Sequence, residues 1–262
     1  MKIPPFIQPA LNYADIPADI FLIFDAFRSH SETRLHRHKW GQLQLVSGGV
    51  LELNTQDERF LAPSKHAIWV PSGIMHQSYN RKPISYCAIN IVPHLTQPFP
   101  DKPCLLTVTP LVEVIIDDLR GRNIQIAETQ QDKRLMAVLY DQLSSAQPTD
   151  PFLPSSNDKL LLPILSALES NPADPRSLHD WADFVHTTER TLARHCKNEL
   201  GISFTEWRLR MRYLYSLALL KQGGSVKEIA FTLGYNQASP FITMFKKYAQ
   251  CTPEFYKLKH SL

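Results

Sequence analysis

Two stretches near the end of the chain carry one pattern twice, 48 residues apart, and this repeat limits the fold more than any other feature. Leu178, Trp181, Ala182 and Val185 form an apolar stripe at i, i+3, i+4, i+7, and Val226, Ile229, Ala230 and Leu233 form it again. Each stripe follows a serine, Ser177 or Ser225, suited to cap a helix start by accepting a backbone N–H. After a few polar residues a second amphipathic run follows. It carries Leu192, Cys196 and Leu200 in the first copy, behind Thr188 as N-cap, and Phe241, Met244, Phe245 and Tyr248 in the second. Leu192 matches Phe241 and Cys196 matches Phe245 at an offset of 49, so a one-residue slip falls in the turn.

Two helices joined by a short turn make a helix-turn-helix, whose second helix enters a DNA major groove. On periodicity alone, a plain helical bundle fits equally well. The segment between the copies favours the first reading. Phe204, Trp207, Met211, Leu214, Tyr215 and Ala218 mark one face of a continuous helix. Its length of roughly seventeen residues corresponds to ~25 Å, enough to space two reading heads about one DNA turn, ~34 Å, apart. Charge points the same way. From residue 171 onward there are thirteen Lys/Arg against eight Asp/Glu, leaving fifteen against seventeen for residues 1–170. The basic excess lies where a polyanion would dock.

Residues 177–256 strongly resemble the AraC/XylS family of bacterial transcription regulators. The resemblance is carried by Arg190-Thr191-Leu192-Ala193-Arg194, Gly201-Ile202-Ser203-Phe204, Ile229-Ala230, Leu233-Gly234-Tyr235, Phe241-Ile242-Thr243-Met244-Phe245 and Thr252-Pro253. It implies seven helices, two helix-turn-helix units on successive major-groove faces of double-stranded DNA, and activation by contact with RNA polymerase, with repression left open. Carried over by motif, the DNA-binding positions are Thr188, Arg190, Thr191, Ala193, Arg194 and Lys197 in the first head. In the second they are Gln237, Ala238, Ser239, Ile242, Thr243, Lys246 and Lys247. Arg190 and Arg194 lie one turn apart, opposite Leu192 and Cys196, where an arginine can bind guanine bidentately. Lys197, Lys246 and Lys247 suit phosphates. Thr243 stands where many members have arginine, which implies weaker direct readout by the second head.

The first part of the chain changes period. Short β-rich runs at 20–27, 42–46, 50–53, 66–70 and 84–92 predict a barrel or sandwich. Helical spacing then takes over in Leu111, Val112, Ile115, Ile116 and Leu119, and again in Leu135, Met136, Leu139 and Leu143. These two helices either pack on the barrel wall or build a homodimer. Residues 146–157, with three prolines, read as a linker. The expected architecture is thus α+β in two domains: a cupin-like β-barrel followed by helices in 1–145, and an all-α double helix-turn-helix domain in 158–262.

His36-Arg37-His38, Gln42 and the run Pro71-Ser72-Gly73-Ile74-Met75-His76 with Asn80 resemble the two motifs of the cupin barrel, which implies a divalent-metal site on His36, His38 and His76. Gln42 replaces the usual carboxylate, and Lys65 stands in place of a glycine. Those departures favour a metal-free pocket in which histidines bind a small-molecule effector or one another, although three imidazoles can still hold zinc, nickel or iron. Trp40 and Trp69, with Tyr79, are candidates to line that pocket. A metal-dependent cupin enzyme with a DNA-binding tail is the rival reading, weakened because no base or nucleophile accompanies the histidines. No stretch approaches the ~20 apolar residues of a membrane span, and Met1 to Gln8 lack a signal-peptide pattern, so no membrane partner and a cytoplasmic location are expected. Cys87, Cys104, Cys196 and Cys251 form no C-x-x-C pair and read as buried small hydrophobes.

Overall fold

Alternation of apolar and small or polar residues drives the first part of the chain into strands. The computed structural model describes residues 6–8, 17–47, 50–56, 58–63, 66–80, 83–156 and 158–260, and the chain divides into two units, Met1–Phe152 and Leu153–Leu262. Among the described residues of the first unit the strands are β1 Phe6–Gln8, β2 Ile20–Phe27, β3 Ser31–Thr33, β4 Gly41–Ser47, β5 Val50–Thr55, β6 Arg59–Pro63, β7 His66–Val70, β8 His76–Asn80, β9 Ile84–Ile91, β10 Cys104–Thr107 and β11 Pro148–Thr149. All five predicted runs are present, as β2, β4, β5, β7 and β9. The others are short or polar, and pairing with neighbours rather than local pattern makes them strands.

The strands form two sheets, ordered β1-β3-β8-β5-β6 and β11-β10-β7-β4-β9-β2, so the cupin-like domain is a two-sheet sandwich and not one closed barrel. Every pairing is antiparallel except β1 with β3. Period-two alternation gives the six-stranded sheet two buried faces. Val46, Ile68, Val70, Tyr86 and Ala88 face the other sheet together with Leu51, Leu53 and Phe60. Leu43, Leu45, Ala67, Trp69, Cys87 and Ile89 face two helices, α1 Pro110–Gly121 and α2 Gln130–Ser144. Thr109 and Thr129 cap those helices, accepting from Val112 N and Asp132 N. Val112, Ile115, Ile116, Leu119, Met136, Leu139 and Leu143 are buried against the sheet, while Leu111 and Val138 are exposed. Gly41 is required by this layer, because a Cβ there would sit 2.2 Å from the Trp69 ring.

Of the segment 146–157, residues 146–156 are described, and they do not form the plain linker that their prolines suggest. β11 pairs with β10, Phe152 packs on the inter-sheet core, and Leu153 is 4% exposed within the second unit. Apolar side chains between the prolines hold the segment down.

The second unit has seven helices among its described residues: α3 Leu161–Ser170, α4 Leu178–Phe184, α5 Glu189–Leu200, α6 Phe204–Lys221, α7 Val226–Thr232, α8 Ala238–Ala249 and α9 Pro253–His260. Asp158 Oδ1 accepts from Leu160 N and Leu161 N in the turn ahead of the helix, and the short helix expected from 158 begins at Leu161. Helix α6 has 18 residues, about 27 Å at 1.5 Å per residue. It buries Phe204, Trp207, Met211 and Leu214 of the expected stripe, leaves Tyr215 and Ala218 half-buried, and also buries Tyr213, Ser216, Leu217 and Leu220, because helices surround it. Trp207 Nε1 donates to Pro154 O at 2.8 Å, Arg212 Nε donates to Pro172 O at 3.0 Å, and Arg208 donates to Asp174 O and Arg176 O. The α3–α4 connection is thereby fastened to the central helix.

Candidate nucleic-acid interface and histidine pocket

Each head is built from the same local chemistry. Ser177 caps α4 in a capping box with Asp180, and Ser225 caps α7 in one with Glu228. In the turns, Thr187 N donates to Ala182 O and Tyr235 N donates to Ala230 O, both at 2.9 Å. His186, at φ 55°, and Gly234, at φ 79°, occupy the left-handed position. All these pairs keep the offset of 48, whereas α5 and α8 begin 49 apart, so Asn236 is the inserted residue. Thr188 caps α5 through Thr191 N; Gln237 precedes α8 without a side-chain cap.

Packing decides which faces remain outside. Helix α5 buries Leu192, Cys196 and Leu200, and α8 buries Phe241, Met244, Phe245 and Ala249. Arg190, Ala193, Arg194 and Lys197 are exposed on α5, with Thr191 half-buried. Gln237, Ser239, Thr243, Lys246 and Lys247 are exposed at α8, with Ala238 and Ile242 half-buried. Among the described residues neither Arg190 nor Arg194 has a side-chain polar partner. Two of the lysines read as phosphate anchors are already engaged. Lys197 Nζ donates to Gly201 O at 2.9 Å, closing its own helix end, and Lys247 Nζ pairs with Glu206 Oε2 at 2.6 Å. Thr243 Oγ1 donates to Ser239 O at 3.1 Å, so that hydroxyl proton is also taken.

In the first unit the three motif histidines do converge. Ring centroids of His36 and His38 are 4.7 Å apart, those of His36 and His76 4.4 Å, and those of His38 and His76 5.2 Å. His36 and His38 lie in the irregular chain between β3 and β4, not on one regular strand as their spacing suggested, and a bridge from His36 to His76 holds them. Burial, then the charges of His76 and His36, pushes His38 down to about 3. Burial likewise pushes His76 down to about 4 despite its bond to Ile74 O, and lowers His36. All three rings are therefore neutral near pH 7.

Trp40 stacks on His38 at 4.7 Å but does not itself line the cavity, whose wall includes His36, His38, Gln42, Gln44 and Ser78. Its Nε1 and Gln42 Nε2 both donate to Asn90 Oδ1 at 2.8 Å; Gln44 Nε2 donates to Gln42 Oε1, and Ser78 Oγ donates to Gln44 Oε1. Asn90, Gln44 and Ser78 were missed from the sequence, although polar residues alternating with leucines in a buried strand signal them. Trp69 does not line the pocket. It sits on the opposite face of its sheet, stacked on Phe99 with Nε1 bonded to Pro100 O, because the pleat puts it in step with Ala67 and not Ile68. Tyr79 also points away, its hydroxyl 3.0 Å from His30 Nδ1. Lys65 lies outside the described residues.

The family described as "AraC-like ligand binding domain" matches residues 17–153, and that described as "Helix-turn-helix domain" matches residues 181–259. The chain belongs to the AraC family of transcription regulators. This AraC-family regulator is 31% identical over 222 residues to the HTH-type transcriptional regulator NimR of Escherichia coli (strain K12), spanning 85% of this chain and 81% of NimR. It is also 31% identical over 93 residues to the HTH-type transcriptional regulator RipA of Corynebacterium glutamicum, covering 36% of this chain and 28% of RipA. A crystal structure of ToxT from Vibrio cholerae O395 aligns over 92% of this chain and 97% of ToxT, at 14% identity and a TM-score of 0.39. NimR and RipA are named as regulators, and the enzyme reading gains nothing from them. The AraC-family chain is a DNA-binding transcription regulator with a ligand-binding domain, and no described helix is long and apolar enough to cross a membrane.

Proposed function

We propose that the regulator reads double-stranded DNA mainly with its first head, where Arg190 and Arg194 contact base edges and Thr188, Thr191 and Ala193 shape the approach. The observation that carries this reading is the pair of exposed arginines without polar partners, opposite the buried Leu192 and Cys196. The second head, with Gln237, Ala238, Ser239, Ile242 and Thr243, makes shorter and weaker contacts, and Lys246 adds a phosphate contact. The histidine pocket is the effector chamber for a small molecule, and effector binding acts through different affinities for two arrangements of the chain. The same reading places the protein in the cytoplasm, as a homodimer through the exposed side of α1 and α2, with activation through contact with RNA polymerase.

Selection of bound sequences from a random DNA pool tests the core of this. The expected outcome is two motifs about one helical turn apart, ~10–10.5 bp, with the guanine-containing one more strongly fixed. A bound pool without sequence preference at constant salt would remove the proposal.

A further inference from the structure

We propose that the first unit holds a second small-molecule site on one flank of α2, and that this site takes a zwitterion with an apolar body, an amino acid of the aromatic or branched class. It goes beyond the histidine chamber and shares no wall residue with it.

Lys133, Met136, Ala137 and Tyr140 recur at i, i+3, i+4 and i+7, so they line one stripe of α2. Thr109 and Arg122 bond Gln142 and Asp132 on a different face of the helix, which puts α1 on the other side. Facing the stripe are Asp19 and Ile20 at the start of β2, Leu95 in the short 3-10 turn Pro93–Leu95, and Ala127 ahead of α2. The cavity between them measures about 410 Å³, within the ~300–1,000 Å³ of small-molecule sites. The histidine pocket, at about 40 Å³, holds far less. Hydrogen bonds fasten each wall to its neighbour. Tyr140 Oη donates to Leu95 O at 2.8 Å, Val92 N donates to Asp19 O at 3.0 Å, and Leu22 N donates to Gln125 O at 2.9 Å. The cavity is therefore built into the fold and needs no opening.

Its lining names the ligand. Ile20, Leu95, Ala127, Met136, Ala137 and Tyr140 make the wall apolar, and the Met136 thioether and Tyr140 ring favour an aromatic or branched body. The charged residues on the wall are Asp19 and Lys133. Among the described residues neither side chain has a hydrogen bond or ion pair, with the other or with anything else. A simple carboxylic acid would gain Lys133 but face Asp19, and a simple amine would gain Asp19 but face Lys133. A zwitterion satisfies both, carboxylate towards Lys133 and ammonium towards Asp19. The Tyr140 hydroxyl proton is taken by Leu95 O, so its oxygen is left to accept from the ammonium. Asp19 and Lys133 are exposed at the rim, so water screens each contact and each contributes a modest factor.

Calorimetric titration of L-phenylalanine and, in turn, L-leucine into the full-length chain is the test. The controls are 2-phenylethylamine, which lacks the carboxylate, and 3-phenylpropanoate, which lacks the ammonium. Saturable binding of one amino acid per chain is expected, with each truncated probe weaker than phenylalanine by ~5-fold or more. Lys133→Met should weaken phenylalanine and 3-phenylpropanoate but not the amine; Asp19→Asn should weaken phenylalanine and the amine but not 3-phenylpropanoate. Ala137→Trp fills the cavity from an exposed position, so it should abolish binding while the unfolding midpoint holds. No saturable heat with either amino acid, or binding that survives Ala137→Trp, overturns the site. A truncated probe as tight as phenylalanine overturns the zwitterion. None of these variants touches the histidine chamber, whose standing is therefore independent of the outcome.

Discussion

In the first head His186 occupies the left-handed turn position and Arg190 and Arg194 stand without partners; in the second, Gly234 occupies that position and Ser239 and Thr243 replace the arginines at an offset of 49. Below the surface the two heads agree down to their capping boxes and turn hydrogen bonds. Caps and buried stripes set the skeleton, and the outer face is then free to diverge. On the second head, Lys247 and Tyr248 of α8 donate to Glu206 on α6 at 2.6 and 3.1 Å.

The turns give the largest expected difference. A Cβ on Gly234 would lie 2.9 Å from Ala173 O at a positive φ, so Gly234→Ala should cost ~2–4 kcal/mol. His186→Gly, which relieves the same backbone strain in the first head, should stay within ~1 kcal/mol. Thermal denaturation of the two variants decides; equal losses would mean that the turns are not distinct. Next come the reading positions. Arg194→Ala should lower specific affinity by ~1–3 kcal/mol and leave non-specific binding almost intact, while Thr243→Ala should cost less than ~1 kcal/mol. Titrations on the selected site and on scrambled DNA measure both, and a loss shared by all sequences would reassign Arg194 to the phosphate backbone.

The clamp on Glu206 gives a smaller, pH-dependent effect. Burial raises the Glu206 carboxyl, but hydrogen bonds from Lys247, Arg210 and Tyr248 outweigh it and hold the group below the usual carboxylate range. Its stabilisation is thus present above the unfolded glutamate value, about 4.3, and is lost as pH falls through the lower folded value. Glu206→Gln should flatten that acid limb in a pH series of unfolding midpoints; an unchanged limb would show that the clamp contributes nothing. Smallest is the salt term. Lys246→Ala should reduce the slope of log affinity against log salt by about one, and Lys247→Ala by clearly less, because Lys247 is already paired. Equal slopes would contradict the clamp.

Much of this was legible beforehand because local chemistry specifies it. Ser177, Thr188 and Ser225 act as caps where they were read as caps, and Leu192, Cys196, Phe241 and Phe245 are buried as the stripes require. What escaped depends on partners distant in sequence. Lys247 reads as a phosphate anchor in the sequence, but Glu206, 41 residues away, holds it. Trp69 reads as a pocket residue because it stands just before the motif that carries His76, yet the strand pleat turns it to the helix layer.

Periodicity and capping residues by themselves determined that this chain has a doubled helical head joined by a rod, since those signals act over a single turn of helix. Only the tertiary structure decided that the strands form two sheets and that Gln44 and Ser78 line the pocket, with Asn90 bonded to Gln42. It also decided that Nε2 of His38 and Nε2 of His76 are left without a hydrogen-bond partner, because strand register and burial arise from contacts that no short stretch of sequence contains.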